Sequence, residues 1–444
     1  MNSSRAAASP LYLFLILLAS IFIQDARAET TGVPWIGEPG VTVNLKELMA
    51  LQAAAEKAGL QPRIQHRHPR NTQPPVTPDS AVKSPQWPLL PSPFGGEGPG
   101  VRGRESVGPR ATLGTGTSFL TTTRSEALTF PPDTMGGVSP SQVFVTLNGR
   151  FKLFDRSGNS NTALNVDSDI FFASVRNNST TTDPRVRFDR LSQRWFITML
   201  NEASTSNRIM LAVSSGPVIN DASSFTLYQF QQDFGTATTD TDHGTFADYD
   251  TLGIDANNLY IGVSIFTKIT GGTLKGASGF VINKAALIGG TLAITPFRHL
   301  STANQSGIYT PQGVDNDDPN ATEGYFIGTD NIVTNQLIMY RITGGASPTL
   351  SNPIILIVTD TGNHSLGGVP ALGSSVPIDD NDNRLFLASI HNGSLYTSQN
   401  LSVDTSGNGT PGGTRDGSRW YEIVNLTTTP TVRQSGTLFD PTLS

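Results

Sequence analysis

The chain contains no cysteine in its 444 residues, which excludes disulfides, thiol nucleophiles and thiolate metal sites. Charge is scarce too: 15% of residues are Asp, Glu, Lys or Arg and the net charge is −6. That balance offers nucleic acid no basic surface, and it lacks the charge runs of a disordered chain. Histidine is rare, and the one close pair among the six, His66 and His68, lies in a Pro-rich stretch. No His-Glu-x-x-His, phosphate-cradling glycine loop or Gly-x-Ser-x-Gly elbow occurs. Only one long apolar run is present, Leu11 to Ile23, and its 13 residues fall short of the roughly 20 a membrane-spanning helix needs. Arg5 before the run and Ala26 to Ala28 after it give the pattern of a secretory signal peptide over residues 1–28, cleaved near Glu29. The mature chain is therefore expected outside the cytoplasm, secreted, periplasmic or at the cell surface, with no membrane span.

What is abundant is turn chemistry. The 44 Gly and 29 Pro, with many Ser, Thr and Asn, favour short strands joined by tight turns, and so an all-β fold. Residues 29–60 form a separate N-terminal piece whose "NLKELMALQAAAEKAGLQP" predicts a short helix. Asn44 is its cap, Glu47 stands in the capping-box position, Gly59 and Pro62 end it, and Leu45, Leu48, Met49 and Leu51 form its apolar stripe. Residues 61–117 hold 11 Pro and 8 Gly without periodicity, the composition of a disordered linker. Its "LLPSPFGGEGPGVRG" resembles a translated intergenic DNA repeat. From residue 118 to 444 the chain carries 19 basic and 28 acidic residues and reads as the folded domain.

Within that domain one pattern recurs. "DRLSQRWFITML" from Asp189, "DANNLYIGVSIF" from Asp255, "DPNATEGYFIGTDN" from Asp318 and "DDNDNRLFLASIHNG" from Asp379 each pair an Asp/Asn turn with a strand, at intervals of 66, 63 and 61 residues. In the first, Trp195, Ile197 and Met199 point to one face and Phe196, Thr198 and Leu200 to the other. A sheet that is apolar on both faces must be covered on both, as blades of a β-propeller are. About five blades fit the length, and a β-sandwich assembly is the alternative. The Asp before each strand is read as a turn acceptor.

"PPDTMGGVSPSQVFVTLNGRFKLFDRSG" (131–158), "DPRVRFDRLSQRWFITML", "DYDTLGIDANNLYIGVSIF" (248–266) and "RWYEI" (419–423) resemble a family of secreted bacterial sialidase-like β-propellers of unestablished activity. The resemblance covers most of residues 127–444 and implies a fold and an export route. In such relatives the segment resembling "SGTLFDPTLS" is followed by further strands, so an incomplete propeller is expected here. A sialidase would need three arginines for the substrate carboxylate and a Tyr activated by Glu. Arg185, Arg187, Arg194, Arg341, Arg384 and Arg419 supply the residue type, but Tyr421 and Glu422 are adjacent in a strand and point to opposite faces. No intact Asp-box occurs.

The expected function is thus a non-catalytic binding or scaffold module for glycan or protein, with Trp420 and Tyr421 as the ligand-binding candidates. A carbohydrate-active hydrolase is the alternative; it would require Arg, Tyr and carboxylate side chains to converge in a central funnel. Calcium is the one cofactor the sequence raises. Asp404, Ser406 and Asn408 sit at alternate positions before Gly409, the spacing of oxygen ligands in a cation loop. The twelfth position is Arg415 rather than Glu, leaving Asp416 as a displaced ligand and an ordinary hairpin loop as the competing reading. "DTDHG" (240–244) and "DNDD" (315–318) are weaker versions of the same pattern.

Overall fold

The computed structural model describes residues 29–61, 63–64, 117–203, 206–302, 305–361, 368–369, 375–378, 380–410 and 413–441. The segments expected to be a signal peptide, 1–28, and a linker, 61–117 apart from residues 61, 63, 64 and 117, lie outside the described residues. What is described is an all-β propeller of five blades.

Blade one is the antiparallel sheet Met135–Val138, Gln142–Leu147, Arg150–Asp155 and Ser160–Val166. Blade two is Thr181–Asp189, Arg194–Asn201, Arg208–Ser214 and Ser224–Gln231. In blade three the innermost strand is split into Phe246–Asp248 and Gly253–Ile254, followed by Asn258–Phe266, Leu274–Asn283 and Ala293–Thr302. Blade four runs Ile308–Gly313, Gly324–Asp330 and Gln336–Thr343 to an outer edge shared by Thr349–Leu350 and Ile354–Ile357. Blade five is Leu385–His391, Ser394–Val403, Arg415–Val424 and Thr431–Leu438.

The two-faced pattern around Trp195 has the expected outcome. Trp195, Ile197 and Met199 join one buried cluster with Phe144, Phe151 and Leu153 of blade one, while Phe196 and Leu200 join another with Leu259, Ile261 and Phe280 of blade three. Equivalent apolar layers separate blades three and four and blades four and five. "DPRVRFDRLSQRWFITML" is therefore one structural unit, the first hairpin of a blade. Its turn is held by Asp189, which accepts from the amides of Leu191 (3.2 Å) and Ser192 (3.0 Å), and Asp255 does the same for Asn257 (2.7 Å) and Asn258 (2.8 Å). The fourth recurrence is displaced by one strand. Asp189, Asp255 and Asp318 precede the second strand of their blades, whereas "RLFLASIH" after Asp379 is the innermost strand of blade five.

The N-terminal piece is more than a helix. Thr30–Thr31 pairs with the outer edge of blade four, Trp35–Ile36 with that of blade three and Val41–Asn44 with that of blade two. The helix Leu45–Ala58 then packs at blade one, burying Leu45, Leu48 and Gln52. Asn44 caps it by accepting from the Lys46 amide at 2.9 Å, and Gly59 ends it at φ 86°, where a side chain would be strained. Leu51, placed in the apolar stripe by its spacing, is exposed. Arg63–Ile64, inside the expected linker, pairs with Thr129–Phe130, and Arg63 bonds Asp167 at 2.7 Å and contacts Asp169.

The seam between blades five and one differs from the other four. On blade one's face there, Val145, Leu147, Phe154 and the partly buried Val143 of the same sheet pack with Phe119. The facing side of blade five leaves Phe386, Tyr396, Trp420 and Leu438 exposed. Among the described residues no shared core cluster joins these two blades, and the seam opens into a cavity.

Candidate functional site

Propeller blades converge on a central axis, and here the innermost strands share a local distortion. Asp133, Asp183, Tyr249, Thr310 and Leu387 all have left-handed backbones, with φ of 40°, 57°, 55°, 43° and 57°. One comes from each blade. Asp183, Thr310 and Leu387 fall at register shifts in their strands, and Tyr249 sits in the break that splits blade three's innermost strand. Non-glycine residues in this region each carry a cost of order 1 kcal/mol or more, and such bulges re-aim side chains. Three of the five turn ionisable side chains, Asp133, Asp183 and Tyr249, into one cavity.

That cavity has a volume of about 550 Å³ and is walled by Asp133, Asp183, Arg185, Tyr249, Asp382 and Arg384, with Phe386, Ser398, Asn400 and Ser418 toward blade five. Hydrogen bonds lock the bulges to one another. Asn148 of blade one donates to Asp133 at 2.6 Å and accepts from the Asp183 amide at 2.9 Å, and Asp183 in turn accepts from the Tyr249 amide at 3.1 Å. Glycine makes the next step possible. A side chain on Gly253 would meet the backbone of Gly313 at 2.2 Å, so the innermost strands of blades three and four touch backbone to backbone.

Two guanidiniums flank the Tyr249 ring, Arg384 at 4.0 Å and Arg185 at 4.6 Å from its centroid. Both are already engaged: Arg384 grips Asp382 through two bonds of 2.6 and 2.5 Å, and Asp382 also accepts from the Tyr309 hydroxyl at 2.7 Å. Arg185 donates to the Asp250 carbonyl at 2.6 Å. Arg187 is spent on Asp315 (2.6 Å), Arg341 on Glu323 (2.8 Å), and Arg419 on Thr437 (2.9 Å) and the carbonyl of Asp360 (2.8 Å). Arg194 donates to the Ser214 carbonyl at 3.3 Å, and of the six arginines only Arg185 and Arg384 line the cavity, so it holds no three-arginine clamp.

Three carboxyls in or behind the funnel wall, Asp133, Asp248 and Asp250, hold protons unusually well. Burial, then the charge of Asp183 and a hydrogen bond to it, push Asp133 up to about 7. Burial outweighs the attraction of Arg185 and raises Asp250 to about 7, although it also accepts from Thr198 at 2.5 Å. Asp248 is raised by burial and by Asp183, whereas the Arg384 pair overcomes burial and holds Asp382 well below the usual carboxylate range. At neutral pH the cavity thus sets Asp133, close to half protonated, near the ionised Asp382.

The residues singled out from sequence fall elsewhere. Trp420 is on blade five with 42% of its surface exposed. Tyr421 is fully buried in the core between blades four and five, so its assignment as a ligand-contacting residue is corrected: on an alternating strand, exposure of Trp420 buries its neighbour. Tyr421 and Glu422 do point to opposite faces, Glu422 accepting from Ser394 at 2.9 Å and Gln434 at 2.7 Å. In the Asp404 loop the carboxylate accepts from the amides of Ser406 (2.8 Å) and Asn408 (2.9 Å) and from the Asn408 side chain (3.1 Å). "DRSGN" closes identically, Asp155 accepting from Ser157 (2.8 Å) and Asn159 (2.9 and 2.7 Å). Asp416 is turned toward Asp380 instead, and burial together with that neighbour raises it to about 6. Asp240, Asp242 and His299 form the one described group whose ligand atoms could share a divalent cation, opposed by Arg298 at 3.9 Å from Asp242.

Asp133, Asp183 and Tyr249 were not singled out from sequence. Asp183 alone carries a signal, the X-Pro step inside an apparent strand, "TDPRVRF", repeated at Thr310 in "YTPQGV", since proline in a strand marks a bulge; Tyr249 has none.

No family model matches the chain, and no curated protein matches it. Among solved structures it is similar to an exo-β-1,3-galactanase from Clostridium thermocellum at 11% identity, over 68% of this chain and 62% of that one, with a TM-score of 0.35. It is also similar to the neuraminidase-like N11 protein of a flat-faced bat influenza virus (9% identity, 69% and 74% of the two chains, TM-score 0.35). An exo-1,5-α-L-arabinanase from a bovine ruminal metagenomic library gives 11% identity, 68% and 96% coverage and a TM-score of 0.32. Likeness at this level says nothing of ligand or reaction. No helix among the described residues is long and apolar enough to cross a membrane.

Proposed function

We propose that the chain is an exported glycan-binding propeller whose ligand sits in the central funnel. The observation that carries this is the cavity itself: carboxyls, hydroxyls and amides line it beside Phe386. Such a wall supplies both donors and acceptors to a polyhydroxylated ligand and an apolar surface to its C–H face. Both guanidiniums are engaged within the protein, so the ligand is a neutral sugar rather than a carboxylated one. Calorimetric titration with neutral and sialylated oligosaccharides tests this. Binding of a neutral sugar is expected to weaken at least about tenfold in Asp183→Asn, with the fold checked by melting. Binding confined to sialylated ligands, or unaffected by the substitution, would refute it. Export is tested by N-terminal sequencing of the mature protein, expected to begin near Glu29.

A second reading, hydrolysis of a neutral glycoside, is favoured by the Asp133–Asp183 pair, because a carboxyl protonated near neutral pH can act as a general acid. Release of reducing ends from the same oligosaccharides, abolished in Asp133→Asn, would establish it.

A further inference from the structure

The cavity does not end at the carboxylates. Phe386, Ser398 and Ser418 of its wall belong to the face of blade five that is turned away from blade four. On that face Phe386, Ser398, Trp420 and Gly436 form one row across the four strands. Phe386 and Trp420 are two strands apart, about 10 Å at ordinary strand spacing. Their exposures are 47% and 42%. Gly436 fixes the posture of the tryptophan: a side chain there would meet three atoms of the indole at 2.9 to 3.0 Å. The ring therefore lies over the sheet with its outer face free.

The neighbouring row adds Tyr396, 39% exposed, whose hydroxyl donates to Glu422 at 3.1 Å. Glu422 is also engaged by Ser394, Arg433 and Gln434, so the wall presents little free charge. Aromatic rings here alternate with hydroxyl and amide groups, whereas the buried seams are packed with Leu, Ile, Val and Phe. That mixture suits a chain of sugar rings, each with a C–H face to stack and a rim of hydroxyls to bond.

We infer that this wall extends the funnel site, so that the ligand is an oligosaccharide with one end among the carboxylates and its further units stacked on Phe386 and Trp420. The inference rests on the reading of the funnel as a glycan site. The test is calorimetry on the full chain with cello-, xylo-, manno- and galacto-oligosaccharides of increasing length. Affinity for the series that binds is expected to rise at least about tenfold from the shortest to the longest member. Trp420→Ala should remove that rise and leave the shortest ligand within about twofold, while Trp420→Phe should keep most of it. Affinity independent of length, or a length dependence untouched by Trp420→Ala, would overturn the wall and leave the funnel reading intact. Failure of all four series to bind would overturn both. A dimer in sedimentation velocity that Trp420→Ala dissociates would assign the wall to a second copy and overturn the proposal.

Discussion

Blades two and five are built alike, four antiparallel strands with a tryptophan on one face, yet the two tryptophans have opposite fates. Trp195 is fully buried, edge-on to Phe144 at 5.5 Å and Phe188 at 5.0 Å, with its indole N–H donating to the Pro217 carbonyl at 3.1 Å. Trp420 faces the open seam. A blade between two neighbours spends both faces on the core; a blade beside an open seam has one face left for recognition. The largest expected effect follows directly. Trp195→Ala should cost about 3–5 kcal/mol of stability in urea unfolding, whereas Trp420→Ala should stay within about 1 kcal/mol. A comparable loss from both would mean that the seam is as packed as the others.

The second effect sharpens the contrast within the buried seams. Lys284 of blade three reaches the Asp189 turn of blade two at 2.8 Å and also donates to the Asp255 carbonyl, with both charged side chains almost wholly buried. Lys284→Met leaves an uncompensated carboxylate in the core and should cost about 3 kcal/mol. Replacing the pair together, Lys284→Met with Asp189→Leu, should recover part of that loss, and additive losses in the double variant would show that the turn, not the charge, is what matters.

Much of this was legible because it is periodic. The alternation around Trp195 forces a sheet covered on both faces, and the recurring Asp turns mark successive blades. What escaped is what periodicity does not encode. Residues 30–44 carry no strand pattern because each pairing is only two to four residues long, secured by an edge that other blades provide. The funnel depends on backbone distortions in or beside the innermost strands of five separate blades, and a residue such as Asp183 gains its chemistry only when Asp133 and Tyr249 are folded beside it. Blade five misled for a related reason: "RWYEI" shows that an aromatic pair splits across a sheet, but not which member faces the open seam.

Protonation separates funnel from seam by pH. Asp133 and Asp250 stand near 7 in the folded protein, against about 3.9 for an unfolded Asp. The native state therefore holds more protons, so these groups contribute fully below about pH 4, and their contribution is lost as pH rises toward 7. Unfolding free energy should fall across that window. Asp250→Asn, which keeps an acceptor for Thr198, should flatten the fall; an unchanged slope would mean that Asp250 is ionised throughout.

The smallest effect is expected at the exposed Asp404 loop, where sequence spacing pointed to calcium. Both oxygens of Asp404 already accept from donors of their own loop, and the Asp155 loop of blade one repeats the arrangement with the same Asp-x-Ser-Gly-Asn sequence. A cation would have to displace those donors, and Asn408 would have to turn its amide to present oxygen. A bound ion stabilises the fold by mass action, so melting curves with calcium and with chelator decide between the readings. Coincident curves are expected, with Asp404→Ala shifting the midpoint less than any substitution above. A midpoint that falls on chelation in the wild type but not in Asp404→Ala would restore the calcium site. The matching Asp155→Ala variant then tells whether the two loops share it.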